Sequence, residues 1–104
     1  MSRAVVFAPE AQDDLFAIYD YIAEHGSAER ASSYIQRIEK ACMSLRNLPE
    51  RGTLRADLRP GLRLMGFERR VTIAFRVNQN SVAILRILYG GRSLEGAFPE
   101  FGEG

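Results

Sequence analysis

Arg70-Val71-Thr72-Ile73-Ala74-Phe75-Arg76-Val77, then Asn78-Gln79-Asn80, then Ser81-Val82-Ala83-Ile84-Leu85-Arg86-Ile87-Leu88-Tyr89-Gly90-Gly91-Arg92, is the run that decides the fold. Val71, Ile73, Phe75 and Val77 alternate with Thr72, Ala74 and Arg76, the period of a strand with one apolar face. Asparagine tolerates positive φ, so Asn78-Gln79-Asn80 is expected to close a tight hairpin between this strand and the next. The following strand, Ser81 to Leu88, alternates less cleanly. Val82 and Ile84 are expected on one face and Ala83, Leu85 and Ile87 on the other, which makes both faces apolar. One face needs a cover of helices, and the other needs the Phe98–Phe101 tail or a second protein.

Working back from the hairpin, Gly61 to Phe67 reads as a third strand. Pro49 to Pro60, punctuated by Gly52, Asp57 and Pro60, reads as loop. Two helices precede it. Pro9 suits a first helical position, with Glu10, Asp13 and Asp14 near the positive end of the helix dipole, although Ala8 is a poor cap. Ala11, Leu15, Ile18 and Ile22 then recur at spacings of four, three and four as one apolar stripe. Gly26 is expected to end this helix in a left-handed conformation. Ser27 is placed to cap a second helix whose inward face is Ala31, Tyr34, Ile35, Ile38, Cys42 and Leu45, and Pro49 forbids its continuation. Helices joined by so short a link must lie antiparallel. Arg3 to Ala8 reads as an opening strand. The expected class is α+β, in the order β-α-α-β-β-β, with a two-helix hairpin on a small, mainly antiparallel, twisted sheet. Residues 1–95 form one domain and 96–104, rich in glycine, a flexible tail.

The net charge is +1, but it is polarised along the chain. Residues 1–50 sum to −3, residues 51–95 to +6, and the remaining tail to −2. Thirteen of the fourteen basic residues are arginine, and nine of those lie between Arg51 and Arg92. Arginine grips carboxylate or phosphate with two prongs, so this half of the chain is expected to meet an anionic partner. The 26% charged and 46% apolar composition is that of a folded globular chain. Cys42 is the only cysteine, which excludes an internal disulfide, and its position on an apolar helix face reads as an inert buried thiol. No stretch has the length of a membrane span and the N-terminus lacks a signal-peptide pattern, so a cytoplasmic location is expected.

The residues argue against most chemistries. One histidine and one cysteine, far apart, do not make a metal site, and no cofactor is implied. His25, in the last turn of the first helix, reads as a cation at the dipole's negative end. No serine sits in a nucleophile elbow, and Gly90-Gly91 lacks the rest of a phosphate loop. What remains is Arg63, Arg86, Tyr89 and Arg92. Converging arginines can stabilise the charge of a phosphoryl transition state, and a tyrosine can stack on a base or move a proton. The alternative is that these arginines pair with acids and that Tyr89 closes the core.

Several segments in this order resemble the ParE toxins of the RelE/ParE superfamily. They are Phe7-Ala8-Pro9-Glu10-Ala11 with Asp14-Leu15 and Ile18, Tyr21-Ile22-Ala23-Glu24, Leu48-Pro49-Glu50-Arg51-Gly52, Leu58-Arg59-Pro60-Gly61-Leu62-Arg63, and Ile84 to Arg92. The resemblance runs from Val6 to about Leu94. Family members often have a hydroxyl residue at the Ala8 position, histidine at Tyr89 and aspartate at Ser93. The resemblance implies a toxin without chemistry of its own that inhibits DNA gyrase and is neutralised, in a hetero-oligomer, by a ParD-like antitoxin with an acidic amphipathic segment. The alternative it implies is a RelE-like, ribosome-dependent mRNA endonuclease using Arg63, Arg86, Tyr89 and Arg92. Lys40 being the only lysine favours the first. The antitoxin is expected to contact Tyr19, Leu58, Arg59, Leu62 and Leu64, with Arg55 and Arg63 as charge partners. Arg92, Phe98 and Phe101 are expected to contact the target.

Overall fold

The computed structural model describes residues 3–90. The expected order is present with one added strand: β1 (Ala4–Phe7), α1 (Pro9–His25), α2 (Ala28–Met43), β2 (Thr53–Leu54), β3 (Leu62–Phe67), β4 (Val71–Val77) and β5 (Ser81–Tyr89). A 3-10 turn, Ser44–Arg46, extends α2. The five strands form one sheet in the order β1-β5-β4-β3-β2, antiparallel throughout except for the parallel β1–β5 pair. The helical hairpin lies on one face of this α+β sheet.

The helices begin where the residues allow. Pro9 occupies the first turn of α1, and Ala8 leaves it without a side-chain cap. Ser27 Oγ accepts the Arg30 N–H at 3.1 Å and caps α2. Gly26 departs from expectation. Its φ is −145°, so it is not a left-handed terminator. Glycine fits there because an added Cβ would approach the Ile22 carbonyl oxygen at 3.1 Å. The core is built from Ala11 and Ile18 of α1, Tyr34, Ile38 and Cys42 of α2, Leu45, and the inward residues Val71, Ile73, Phe75, Val82, Ile84 and Ile87 of β4 and β5.

Ile87 is therefore on the same face as Val82 and Ile84, not the opposite one. The pairing slips between Ala74 and Phe75: Phe75 faces Ile84 and Ala74 faces Arg86, so Leu85 has no partner across the ladder. This bulge resets the alternation and returns Ile87 to the core. The opposite face is apolar too, but it is sealed in part by the chain itself. Hydrogen bonds from Leu58 N–H to the Arg55 carbonyl and from Arg55 N–H to the Leu62 carbonyl fold residues 55–62 back over β3. Leu58 then lies on Leu62 and Ala74, with Leu64 and Leu85 packed around them.

The turns also differ from expectation. Positive φ occurs at Glu68 (50°) and Arg69 (67°), between β3 and β4, and not at Asn78–Asn80. The β4–β5 turn is closed instead by Asn78, whose N–H donates to the Ser81 carbonyl and whose Nδ2 donates to Ser81 Oγ. Glu68 is held by a two-pronged bond from Arg37 of α2, at 2.9 and 3.1 Å, which ties the left-handed turn to the helices. Gly52, just before β2, has φ 79°, and a Cβ there would lie 2.2 Å from the Leu64 carbonyl oxygen. Gly52→Ala is expected to destabilise the fold by about 2 kcal/mol or more, combining left-handed strain with a backbone clash. Urea denaturation reads this as a lower midpoint with an unchanged slope.

Cys42 is completely buried, and burial pushes its thiol up to about 12. The folded state holds the neutral form. The stability this contributes is complete below the ordinary thiol value of 9.0 and is lost as pH rises from there toward 12. Iodoacetamide at pH 8 is expected to label Cys42 only after denaturant is added, read by intact mass.

Candidate functional site

Of the residues the endonuclease alternative would bring together, Arg63 and Arg86 do not converge. Arg63 stands on β3 opposite Phe75, and Arg86 stands on β5 opposite Ala74, with β4 between them. Two strand spacings separate their backbones, about 9–10 Å, and their heads turn in different directions. Arg63 donates to the carbonyls of Arg51 (3.1 Å) and Glu50 (2.7 Å), fixing the loop before β2. Arg86 donates through Nε (2.7 Å) and Nη2 (2.9 Å) to the carboxylate of Asp14 on α1. Asp14 is 5% exposed and also accepts the Ile87 N–H at 2.8 Å. Its oxygens close the bulged stretch of β5 against the helix. The Asp14 hydrogen bonds and charge hold the Arg86 guanidinium above its usual range, although partial burial opposes this. Asp14 is thus a core ion-pair partner rather than only a dipole-favouring acid of the first turns.

Tyr89, the third of the set, is packed in an aromatic cluster. Its ring centroid is 5.8 Å from Tyr21 and 6.0 Å from Tyr34. Tyr21 in turn stacks on His25 at 4.2 Å, and His25 Nδ1 donates to the Tyr21 carbonyl at 2.8 Å. Arg92, like Phe98 and Phe101, lies outside the described residues. Among the described residues no three of His, Cys, Asp and Glu gather as metal ligands. No described helix is long and apolar enough to cross a membrane.

The expected partner-binding residues are also redistributed. Leu58 (5% exposed) and Leu62 (0%) are interior and offer a partner almost no surface. Arg63 does not share a face with Leu62 and Leu64, because successive strand residues alternate and its ladder partner Phe75 points into the main core. Arg55 is bonded by Nε and Nη2 to Asp57, both at 2.9 Å. Those hydrogen bonds lower the Asp57 carboxyl below its ordinary range. Arg59 is half-buried on the turn that carries Leu58, and Leu64 packs at the margin of the same small cluster.

Tyr19 is the exception. It lines an open groove of about 610 Å³ together with Phe7, Gln12, Leu15, Phe16, Asp20, Ile35 and Glu39. Phe7, Leu15 and Ile35 rest on the main core as the groove's floor, and Phe16 stands 71% exposed on its wall. Beside it β1 is an edge strand whose Val6 is 53% exposed. Phe16 escapes sequence reasoning because it lies one residue off the inward stripe. The signal available was the spacing of three between Phe16 and Tyr19, a second aromatic pair on a face that should be polar. The rim charges of this groove are the acids Asp20 and Glu39. The arginines expected as charge partners are therefore not at this groove, which is apolar with an acidic rim.

A two-helix hairpin on a five-stranded, mostly antiparallel sheet, with Arg55, Arg63 and Arg86 bonded within the chain and an apolar groove open beside α1, is a fold of the RelE/ParE type. Comparison with known proteins places it further. Residues 5–94 match the family model of the ParE toxin of type II toxin–antitoxin systems, parDE. The chain is 34% identical over 94 residues to Toxin ParE3 of Caulobacter vibrioides, covering 90% of this chain and 92% of that one. Its fold is similar to a solved structure described as the chromosomal ParDE toxin–antitoxin system from P. aeruginosa. The TM-score is 0.75 and the identity 29%, over 86% of this chain and 97% of the other. The chain belongs to the ParE toxin family.

Proposed function

We propose that this chain is a toxin that acts by contact and not by catalysis, with a ParD-like antitoxin as its neutralising partner and DNA gyrase as its target. The observation that carries the first part is the engagement of Arg63 and Arg86. One guanidinium fixes a loop and the other neutralises a buried carboxylate, so neither is presented to a phosphate. The antitoxin reading rests on the groove lined by Phe7, Leu15, Phe16, Tyr19 and Ile35 and on the family to which the chain belongs. An amphipathic helix with bulky apolar residues at spacings of three and four fits such a groove. Its flanking residues opposite Asp20 and Glu39 should be basic, while its acidic stretches meet arginines outside the groove. The partner binds as a hetero-oligomer. The gyrase reading rests on the family alone.

Purified protein added to gyrase and to a translating extract separates the readings. The proposal expects inhibition of supercoiling that the antitoxin relieves, with mRNA intact throughout. Cleavage of mRNA with unimpeded supercoiling overturns it in favour of the endonuclease.

A further inference from the structure

A second cleft lies on the other side of the helical hairpin, away from the Phe16 groove. Glu29, Arg30, Ser33, Tyr34 and Arg37 of α2 line it, together with Arg70 of the β3–β4 turn and Tyr89 of β5. Tyr34 is its unusual member. The side chain is only 9% exposed, and its hydroxyl is enclosed with no hydrogen-bond partner. An unsatisfied buried hydroxyl costs the fold free energy, and a ligand that accepts its hydrogen bond recovers that cost. The charges around it are unbalanced. Arg37 lies over the Tyr34 ring at 5.1 Å and bonds Glu68. Arg30 and Arg70 are exposed and form no ion pair among the described residues, against the single further acid Glu29. Burial, first, and then the neighbouring Tyr89 and Glu68 hold the Tyr34 phenol neutral, so it remains a donor. Flat aromatic surface adjoins the cleft: Tyr89 at its edge, and beyond it Tyr21, 51% exposed and stacked on His25.

We propose that this cleft binds the phosphomonoester of a nucleotide, with Arg30 and Arg70 gripping the phosphoryl oxygens, Tyr34 donating to one of them, and the base stacking on Tyr89 and Tyr21. Two unpaired guanidiniums match a dianionic group, and a ring surface beside them matches a base. Arg37, 47% exposed, is the side chain that swings off the Tyr34 ring to admit the ligand. The phosphomonoester could belong to a free mononucleotide or to the terminus of a nucleic-acid strand.

Three of the chain's four tyrosines sit in this cluster and there is no tryptophan, so intrinsic tyrosine fluorescence reports on the site directly. Full-length protein is titrated with adenosine 5′-monophosphate, inorganic phosphate, adenosine, a 5′-phosphorylated oligonucleotide and a triglutamate peptide. The expected result is saturable binding of the monophosphate, weaker binding of phosphate, and none of adenosine or the peptide. Tighter binding of the oligonucleotide assigns a strand terminus, and equal or weaker binding assigns a free nucleotide. Y34F and R70Q should each weaken binding roughly tenfold or more. Y34F keeps the ring, so without ligand it should melt at the same or a higher temperature than the parent. No saturation by 10 mM monophosphate, equal binding of adenosine or the peptide, or unchanged affinity in both variants overturns the proposal.

Discussion

Asp14→Ala is expected to leave the protein largely unfolded at 37 °C. The carboxylate is 5% exposed and takes two bonds from Arg86 and one from the Ile87 N–H. Removing it strands a guanidinium that is 16% exposed and a buried backbone donor. Breaking one partner of a buried pair costs about 3–5 kcal/mol, a large share of the roughly 5–15 kcal/mol that holds a domain together. At about 4–8 °C per kcal/mol for a domain of this size, the melting temperature should fall by more than about 12 °C. Circular dichroism melting checks this. The double variant Asp14→Leu with Arg86→Met should recover most of the loss, because two apolar side chains leave no unpaired charge. A single variant that melts within about 2 °C of the parent would remove the pair from its role in the fold.

The second large effect falls on binding and not on folding. Phe16→Glu changes a residue that is 71% exposed, so stability should move by less than about 0.5 kcal/mol. In the groove it replaces an aromatic anchor by a charge beside Asp20 and Glu39. Aromatic anchors at the centre of an interface are typically worth about 2–4 kcal/mol, so antitoxin affinity should fall roughly 30- to 1,000-fold. Isothermal titration of the purified pair measures it. Reversal of Arg59, outside the groove, should change affinity by less than about tenfold, since rim charges act mainly on the association rate.

Local periodicity carried most of the fold. The stripe of Ala11, Leu15, Ile18 and Ile22, the Ser27 cap and the alternation from Val71 to Val77 each state their element in one short window. The two-residue strand Thr53–Leu54 did not, because it exists only through pairing with Leu64 and Arg63. The bulge at Leu85 is equally invisible, since a slipped register leaves no mark on composition, yet it decides the face of Ile87. The left-handed Glu68-Arg69 turn has neither glycine nor asparagine to announce it, and depends instead on Arg37 reaching from α2.

The site was less legible, for a related reason. Arg55, Arg63 and Arg86 look the same in sequence whether they face solvent or satisfy the chain's own oxygens, and only the fold brings Asp14 to Arg86 across 72 positions. Leu58 looks like loop, and hydrogen bonds to Arg55 put it inside. Tyr19, which lines the groove, is conspicuous in sequence as a tyrosine on a helix flank. Phe16 is not, because helical periodicity marks the residues that face inward and Phe16 stands off that stripe.

Amide hydrogen exchange of the chain, alone and bound to its antitoxin, tests the docking groove most directly. Slowed exchange should concentrate in the Gln12–Asp20 stretch of α1 and the Ile35–Glu39 stretch of α2, with the residues around Leu58 and Leu62 unchanged. Protection confined to residues 55–64, with α1 exchanging as in the free protein, would contradict the groove and return the interface to the far face of the sheet.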